Sequence, residues 1–162
     1  MRITMGESDG IMWKFLSEVQ RKTMTAVLDT ILPAGNGLPG AGQLGIGQYL
    51  DRVIGESPEM KNLFSAGLSS ITMASEEKLG MGFCELGDED KTNLLKEIEE
   101  NDSIFFRNLI LHAYNGYYTN PHVLKILGLG ARAPQPQGYR LESDDLNSLQ
   151  QVRNRGQIYR ET

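Results

Sequence analysis

The sequence has one cysteine, no long apolar run and no excess of positive charge, and each shortage excludes a class of protein. Cys84 alone cannot form an internal disulfide, a dithiol redox pair, a haem-attachment pair or a thiolate zinc finger. No stretch approaches the about 18 consecutive apolar residues of a membrane-spanning helix. The net charge of −5 gives no electrostatic attraction to nucleic acid or to an anionic membrane. We therefore expect neither nucleic-acid binding nor direct membrane insertion.

The start of the chain also lacks targeting features. Residues 1–9 carry neither a basic cluster nor an apolar run, so no export signal is expected. We expect a soluble protein that stays in the cytoplasm, and that reaches the periplasm only if a partner carries it. The length of 162 residues and the apolar share of 40% suit one globular domain.

Apolar residues recur at helical spacing along most of the chain, whereas the period-two alternation of strands is nearly absent. In the first predicted helix they form one apolar stripe of Val19, Met24, Val27, Leu28, Ile31 and Leu32. Capping residues, glycines and prolines separate these segments. Helices are predicted to begin at or beside Ser17, Tyr49, Ser57, Asp88, Asp102 or Ser103, Asn120 and Ser143. The sequence predicts an all-α fold, a single compact domain of about six to seven helices with long, ordered loops rich in glycine and proline.

Four segments follow from these boundaries. We predict an N-terminal lead at 1–16 and a helical core at 17–127, then an irregular proline-rich loop at 128–142 and a C-terminal helix and tail at 143–162. The core includes a connector at 33–47 that contains six glycines. Residues 35–40 there match the Gly-x-Gly-x-x-Gly pattern of dinucleotide sites, but a helix precedes them where the motif requires a strand. A tight turn is the favoured interpretation.

Few side chains are candidates for catalysis. His112 and His122 are the only imidazoles, and neither has a carboxylate at helical spacing to complete a metal site. We expect His112 to be packed and hydrogen-bonded within its apolar helix and His122 to be solvated. Cys84 needs a base to become a nucleophile, and a buried free thiol is the favoured interpretation. We expect no catalytic, cofactor-binding or metal-binding residue in this chain. A stand-alone enzyme that uses His112 with Cys84 remains an alternative.

The C-terminal third is rich in tyrosine, arginine and proline. Tyrosine and arginine are enriched at the centres of protein interfaces, because each adds a hydrogen-bonding group to a large apolar area. The candidate partner-binding residues are Tyr114, Tyr117, Tyr118, Arg132, Pro134, Pro136 and Tyr139. The alternative is that the tyrosines hold the irregular tail against the domain's own helices.

Three separated stretches resemble one protein family. The first is LDTILPA at 28–34 with GQYLD at 47–51, and the second is FCEL at 83–86 with LLKEIE at 94–99. The third is FF at 105–106 with GYYTNP at 116–121 and LG at 127–128. In order and spacing they are similar to the gluconate 2-dehydrogenase subunit 3 family. The likeness runs from about Val19 to Tyr139, and Val123-Leu124 stands where the family's late motif usually has a tryptophan.

The resemblance implies an accessory role. Members of this family are small subunits of flavin-dependent sugar and polyol dehydrogenases, and a large subunit of the glucose-methanol-choline oxidoreductase type binds FAD and oxidises the substrate. The small subunit clasps the large one and assists its folding, and a cytochrome subunit accompanies some members. We therefore expect a non-catalytic, chaperone-like subunit of a heterodimer. A helical adaptor with an unrelated partner remains an alternative.

Overall fold

The computed structural model of the protein describes residues 13–128, which form one helical body. Within this range there is no β-strand, only an isolated bridge between Gly35 and Leu38. The elements are α1 (Glu18–Ile31), α2 (Ile46–Gly55), α3 (Pro58–Leu79), a 3₁₀ turn (Phe83–Glu85), α4 (Asp88–Asn101), α5 (Ser103–Tyr118) and α6 (Pro121–Ile126). The predicted all-α class is confirmed. The loop and helix predicted beyond residue 128, and the lead before residue 13, lie outside the described residues.

Side-chain caps begin most of the helices where the sequence predicts them. The Ser17 hydroxyl accepts the Gln20 N–H, and the Gln20 side chain accepts the Ser17 N–H at 2.9 Å, which completes a capping box. The side chains of Ser57, Asp102 and Asn120 each accept one first-turn N–H of α3, α5 and α6, without the reciprocal bond of a capping box. Each cap satisfies a backbone donor that the first turn leaves free.

The hydrophobic core forms around α3, which contacts α1, α2, α4 and α5. Its residues come from every helix and recur at three- and four-residue spacing, as expected for helices that bury one face. The fully buried large side chains are Met24, Val27, Leu28, Leu50, Ile54, Phe64, Leu68, Ile71, Phe83, Phe105, Leu109 and Val123.

Two glycines let α5 approach its neighbours closely. The ring of Phe105 on α5 lies directly over Gly67 of α3 and packs edge-on against Phe64, with 5.4 Å between the ring centroids. At the other end of α5, a Cβ on Gly116 would lie 2.6 Å from the Tyr49 ring of α2. Alanine at either glycine requires the facing ring to move. The inner face of α5 is therefore fixed against α2 and α3.

A buried carboxylate holds the chain segment that leads into α1. Asp51 of α2 is 1% exposed and accepts the backbone N–H groups of Lys14, Phe15 and Leu16 at 2.6, 3.1 and 2.8 Å. These three charge-assisted bonds satisfy the buried carboxylate and tie residues 14–16 to α2.

The glycine-rich connector is also held by side chains. Asp29 of α1 accepts the N–H groups of Gly42 and Gln43 at 2.8 and 3.2 Å. The Ala41 N–H donates to the Leu32 carbonyl at 3.0 Å. This connector is an ordered loop, as predicted. It leads into α2 at Ile46, so α2 begins three residues before the predicted start.

Two predictions about individual side chains are wrong. Val19, expected in the apolar stripe of α1, is 61% exposed, because it lies in the first turn on the side away from the core. Cys84, expected to be buried, is exposed, because the 3₁₀ turn directs Phe83 into the core and leaves its neighbour outside. Among residues 13–128 no helix has the length and hydropathy needed to cross a membrane.

Candidate functional site

The last two turns of α5 place three predicted partner-binding residues side by side, but not in equivalent surroundings. Tyr117 is 3% exposed and belongs to the core. Its hydroxyl donates to the Pro39 carbonyl at 2.8 Å, a bond that joins α5 to the glycine-rich connector 78 residues away in sequence. Tyr117 therefore holds the domain's own loop in place. Whether it also contributes to partner binding remains a prediction.

Burial changes the acid–base chemistry of Tyr117. Desolvation of the ring, followed by the proximity of Tyr118, raises the pKa of the Tyr117 phenol above its ordinary value. The neutral phenol is favoured because only that form can donate to the Pro39 carbonyl.

Tyr114 and Tyr118 face outward instead, with 44% and 48% of their surface exposed. They form an edge-on aromatic pair with 5.9 Å between ring centroids, and Tyr118 makes a second edge-on contact with Tyr117 at 5.2 Å. Such contacts hold the rings in place without burying them. The exposed pair therefore packs against Tyr117, whose ring is held in the core.

Three further residues on the outward side of α5 were not predicted. Ile104 is 59% exposed, Leu111 is 52% exposed, and Arg107 is exposed between them. The signal for them is present in the sequence, because 104, 111 and 118 recur every seven residues and so lie on one side of a helix. This recurrence indicates an exposed apolar surface only once the opposite side of α5 is known to be buried.

The remaining predicted partner-binding residues, Arg132, Pro134, Pro136 and Tyr139, lie outside the described residues. Their role in partner binding therefore stays a prediction.

A broad groove of about 780 Å³ opens between α1, the 3₁₀ turn and the start of α4. Trp13 and Cys84 line it, together with both acidic and basic side chains. Its three threonines, Thr25, Thr30 and Thr92, each donate to a backbone carbonyl four residues earlier in their own helix. Its polar groups largely serve the local fold, and neither histidine lines the groove.

The two histidines lie on different helices. His112 is half-buried on α5, and its Nδ1 atom has no hydrogen-bond partner among residues 13–128, so the hydrogen bond expected for it is not found there. His122 is exposed in the first turn of α6. Among residues 13–128, no cluster of three or more histidine, cysteine, aspartate or glutamate side chains could hold a metal ion.

The sequence of residues 18–129 matches the family described as gluconate 2-dehydrogenase subunit 3. This match covers more than half of the chain and runs from the first residue of α1 past the end of α6. The chain belongs to the gluconate 2-dehydrogenase subunit 3 family. Neither a curated protein nor a solved structure matches it.

The glycine pattern at 35–40 in this gluconate 2-dehydrogenase subunit 3 domain is a turn. It follows α1, and Gly35 and Leu38 exchange backbone hydrogen bonds at 3.0 and 2.8 Å. Asn36 and Gly37 have positive φ angles of 51° and 80°, which close the turn tightly. The element directly before the loop is helix α1, so the loop does not have the strand-to-helix geometry that holds a pyrophosphate. These residues do not fit a flavin or nicotinamide dinucleotide.

Proposed function

We propose that the chain is the small, non-catalytic subunit of a flavin-dependent sugar or polyol dehydrogenase, and that it binds and stabilises the large subunit. The family match over residues 18–129 carries this proposal, because it spans all six described helices. In this proposal FAD belongs to the large subunit, a flavoprotein of the glucose-methanol-choline oxidoreductase type. A cytochrome subunit is the third component where one is present.

The use of the buried polar groups supports a binding role. Asp29, Asp51 and Tyr117 each bond to backbone atoms of a distant segment. These groups stabilise the loops and the N-terminal segment, and they do not converge on a common cavity. A rigid body with exposed aromatic side chains on one helix is well suited to gripping another protein, because little side-chain freedom is lost on binding.

Binding to the folded partner stabilises that partner by mass action. A subunit that binds only the native flavoprotein adds about 2.7 kcal/mol to its unfolding free energy when the free subunit is at one hundred times its dissociation constant. This is a large part of the about 5–15 kcal/mol that typically separates folded from unfolded protein. A chaperone-like effect therefore needs no catalytic step.

Co-expression tests the proposal. A candidate large flavoprotein of the glucose-methanol-choline oxidoreductase type from the same organism is produced alone, with the wild-type chain, and with the Phe105→Ala variant, whose core is disrupted. We expect the wild-type chain to raise the yield of folded flavoprotein several-fold and to co-purify with it and with flavin absorbance. The Phe105→Ala control is expected to do neither.

Three other results would contradict the proposal. An unchanged flavoprotein yield without co-purification would reject the accessory role. A stable complex with a different, colourless protein would favour the adaptor alternative. Sugar oxidation by the isolated chain, abolished by His112→Ala in a folded variant, would favour the stand-alone enzyme.

A further inference from the structure

The outward face of α5 is unusually apolar for an exposed helix surface. Its exposed positions are Ser103, Ile104, Arg107, Leu111, Tyr114, Asn115 and Tyr118. At 100° per residue, Ile104, Arg107, Leu111, Tyr114 and Tyr118 fall within an arc of about 80° and extend about 21 Å along the helix axis. We call these five residues the α5 stripe. They form one continuous strip rather than scattered exposed side chains.

The exposed area of the α5 stripe is large enough for the centre of a protein interface. Its four apolar or aromatic side chains are each about half exposed, which together amounts to about 400 Å² of accessible surface. This is the range of the largest apolar patch on a typical monomer, and such patches often mark binding sites. It is also about half of the 800 Å² that each partner buries in a standard interface. The stripe can therefore form the centre of an interface, but it needs a surrounding rim.

The α5 stripe is ordered before any partner arrives. Tyr118 contacts both Tyr114 and Tyr117, and Tyr117 is anchored through its hydroxyl to the Pro39 carbonyl. On the opposite side of the helix, Phe105 is locked over Gly67. Burying aromatic rings that already hold their conformation costs little entropy, which favours their use as interface anchors.

Charge distinguishes this surface from the rest of the described chain. Residues 13–128 contain 10 Lys and Arg and 15 Asp and Glu, which gives a net charge of −5. Helix α5 has no acidic residue, and the only full charge in the α5 stripe is the guanidinium of Arg107. Within residues 13–128 the salt bridges are Glu18–Lys22 and Lys78–Glu97, so Arg107 has no ionic partner there. A docking surface that covers Arg107 must supply an acceptor for it.

We propose that the α5 stripe is the docking surface for the large flavoprotein, which contributes an apolar patch with a carboxylate opposite Arg107. This inference rests on the proposed function. The apolar residues supply the buried area, and Arg107 sets the register of the two subunits through a charge-assisted bond.

The test compares matched substitutions on α5 and on the charged outer face of α4. Leu111→Asp places a carboxylate in the α5 stripe, and Asn93→Asp places one on α4. Arg107→Glu reverses the exposed cation of the stripe, and Lys96→Glu reverses one on α4. All four positions are at least partly exposed, so we expect each isolated variant to keep the wild-type circular dichroism spectrum and a similar thermal midpoint.

Affinity for the candidate flavoprotein of the co-expression test is then measured by titration of the purified proteins. We expect Leu111→Asp and Arg107→Glu each to weaken binding at least tenfold, and Asn93→Asp and Lys96→Glu to change it less than threefold. The Arg107→Glu complex should also lose part of the salt dependence of the wild type.

The outcomes distinguish failure of the proposed docking surface from failure of the proposed accessory role. Wild-type binding with unchanged affinity in both α5 variants would overturn the proposed surface and leave the accessory role intact. Absence of any wild-type complex between two folded proteins would overturn the accessory role, and the surface with it. If the α5 variants instead abolish self-association of the isolated chain, measured by light scattering, the occupant is a second copy and the flavoprotein assignment is wrong.

Discussion

Helices α4 and α5 are consecutive in the chain and pack against each other, yet their outer faces are opposite in character. Helix α4 buries Leu94, Leu95 and Ile98, and none of its exposed side chains is apolar. Helix α5 buries a similar apolar face and exposes four more large apolar or aromatic side chains. Helix α4 carries two basic and six acidic residues, whereas α5 carries one arginine and no acid.

Within residues 13–128, the apolar side chains of α4 are all covered, whereas part of those of α5 are not. The arrangement in α4 is that of an ordinary surface helix, with one apolar stripe toward the core and a charged face toward water. A second apolar face, as on α5, gains nothing from water contact. Its removal from water contributes about 25 cal/mol per Å², from which the entropy lost on association is subtracted. In the proposed complex, α5 rather than α4 supplies the contact surface.

The largest effect is expected from the inner face of α5. Phe105→Ala removes a fully buried ring that contacts Phe64 and covers Gly67, so the unfolding free energy should fall by about 3–5 kcal/mol. Tyr118→Ala on the outer face should cost less than about 1 kcal/mol, because half of that ring is already exposed. Urea unfolding followed by circular dichroism measures both. Equal losses would show that the outer face belongs to the core, and the comparison between helices would fail.

An intermediate change in unfolding free energy is expected from loss of the Tyr117 hydroxyl group. Tyr117→Phe removes the donor to the Pro39 carbonyl and should lower the unfolding free energy by about 1 kcal/mol. Tyr118→Phe, the matched control, removes an exposed hydroxyl and should change it little. The same urea titration gives both values. A loss in the control as large as that of Tyr117→Phe would show that the two tyrosines are not divided between core and surface.

The raised pKa of Tyr117 predicts that the unfolding free energy depends on pH. Since folding raises the pKa of this phenol, the unfolded chain ionises first, near its ordinary value of 10.0. The stability that the neutral phenol contributes is therefore fully present below pH 10 and is lost as the pH rises from there through the folded pKa. The difference in unfolding free energy between wild type and Tyr117→Phe should shrink over that interval. A constant difference would contradict the raised pKa.

Local signals were sufficient to predict most helix starts. Ser17 with Gln20, Ser57 before Pro58, and Asn120 before Pro121 act within four residues of chain, and the structure confirms all three caps. The all-α class followed from apolar spacing in the same way. The family was recognised from short stretches, and the match over residues 18–129 confirms it.

Contacts between distant residues could not be predicted from the same sequence. Asp51 bonds residues 35–37 positions away, and Tyr117 bonds Pro39 from 78 positions away. Nothing local distinguishes Tyr117 from Tyr118, although one is buried and the other exposed. The exposure of Cys84 and the stripe formed by Ile104 and Leu111 depend on which face each element turns inward, and tertiary packing decides that.

The smallest change in unfolding free energy is expected on the outer face of α4, where substitutions alter only surface charge. The last turn of α4 has no basic residue, while its first turn holds Asp88, Glu89 and Asp90. Glu99→Lys replaces an unfavourable charge at the negative end of the helix dipole, and should raise the unfolding free energy by about 0.5 kcal/mol at low salt. Glu89→Lys, the matched reversal at the positive end, should lower it by a similar amount.

Both α4 changes should largely vanish in about 1 M salt, where screening acts within about 3 Å. Neither should alter affinity for the flavoprotein, because the proposed contact is on α5. Loss of binding in Glu99→Lys, in a variant of normal stability, would extend the interface onto the acidic helix. The division between a helix that faces only water and one that faces a partner would then be wrong, even if the α5 stripe still contributed to binding.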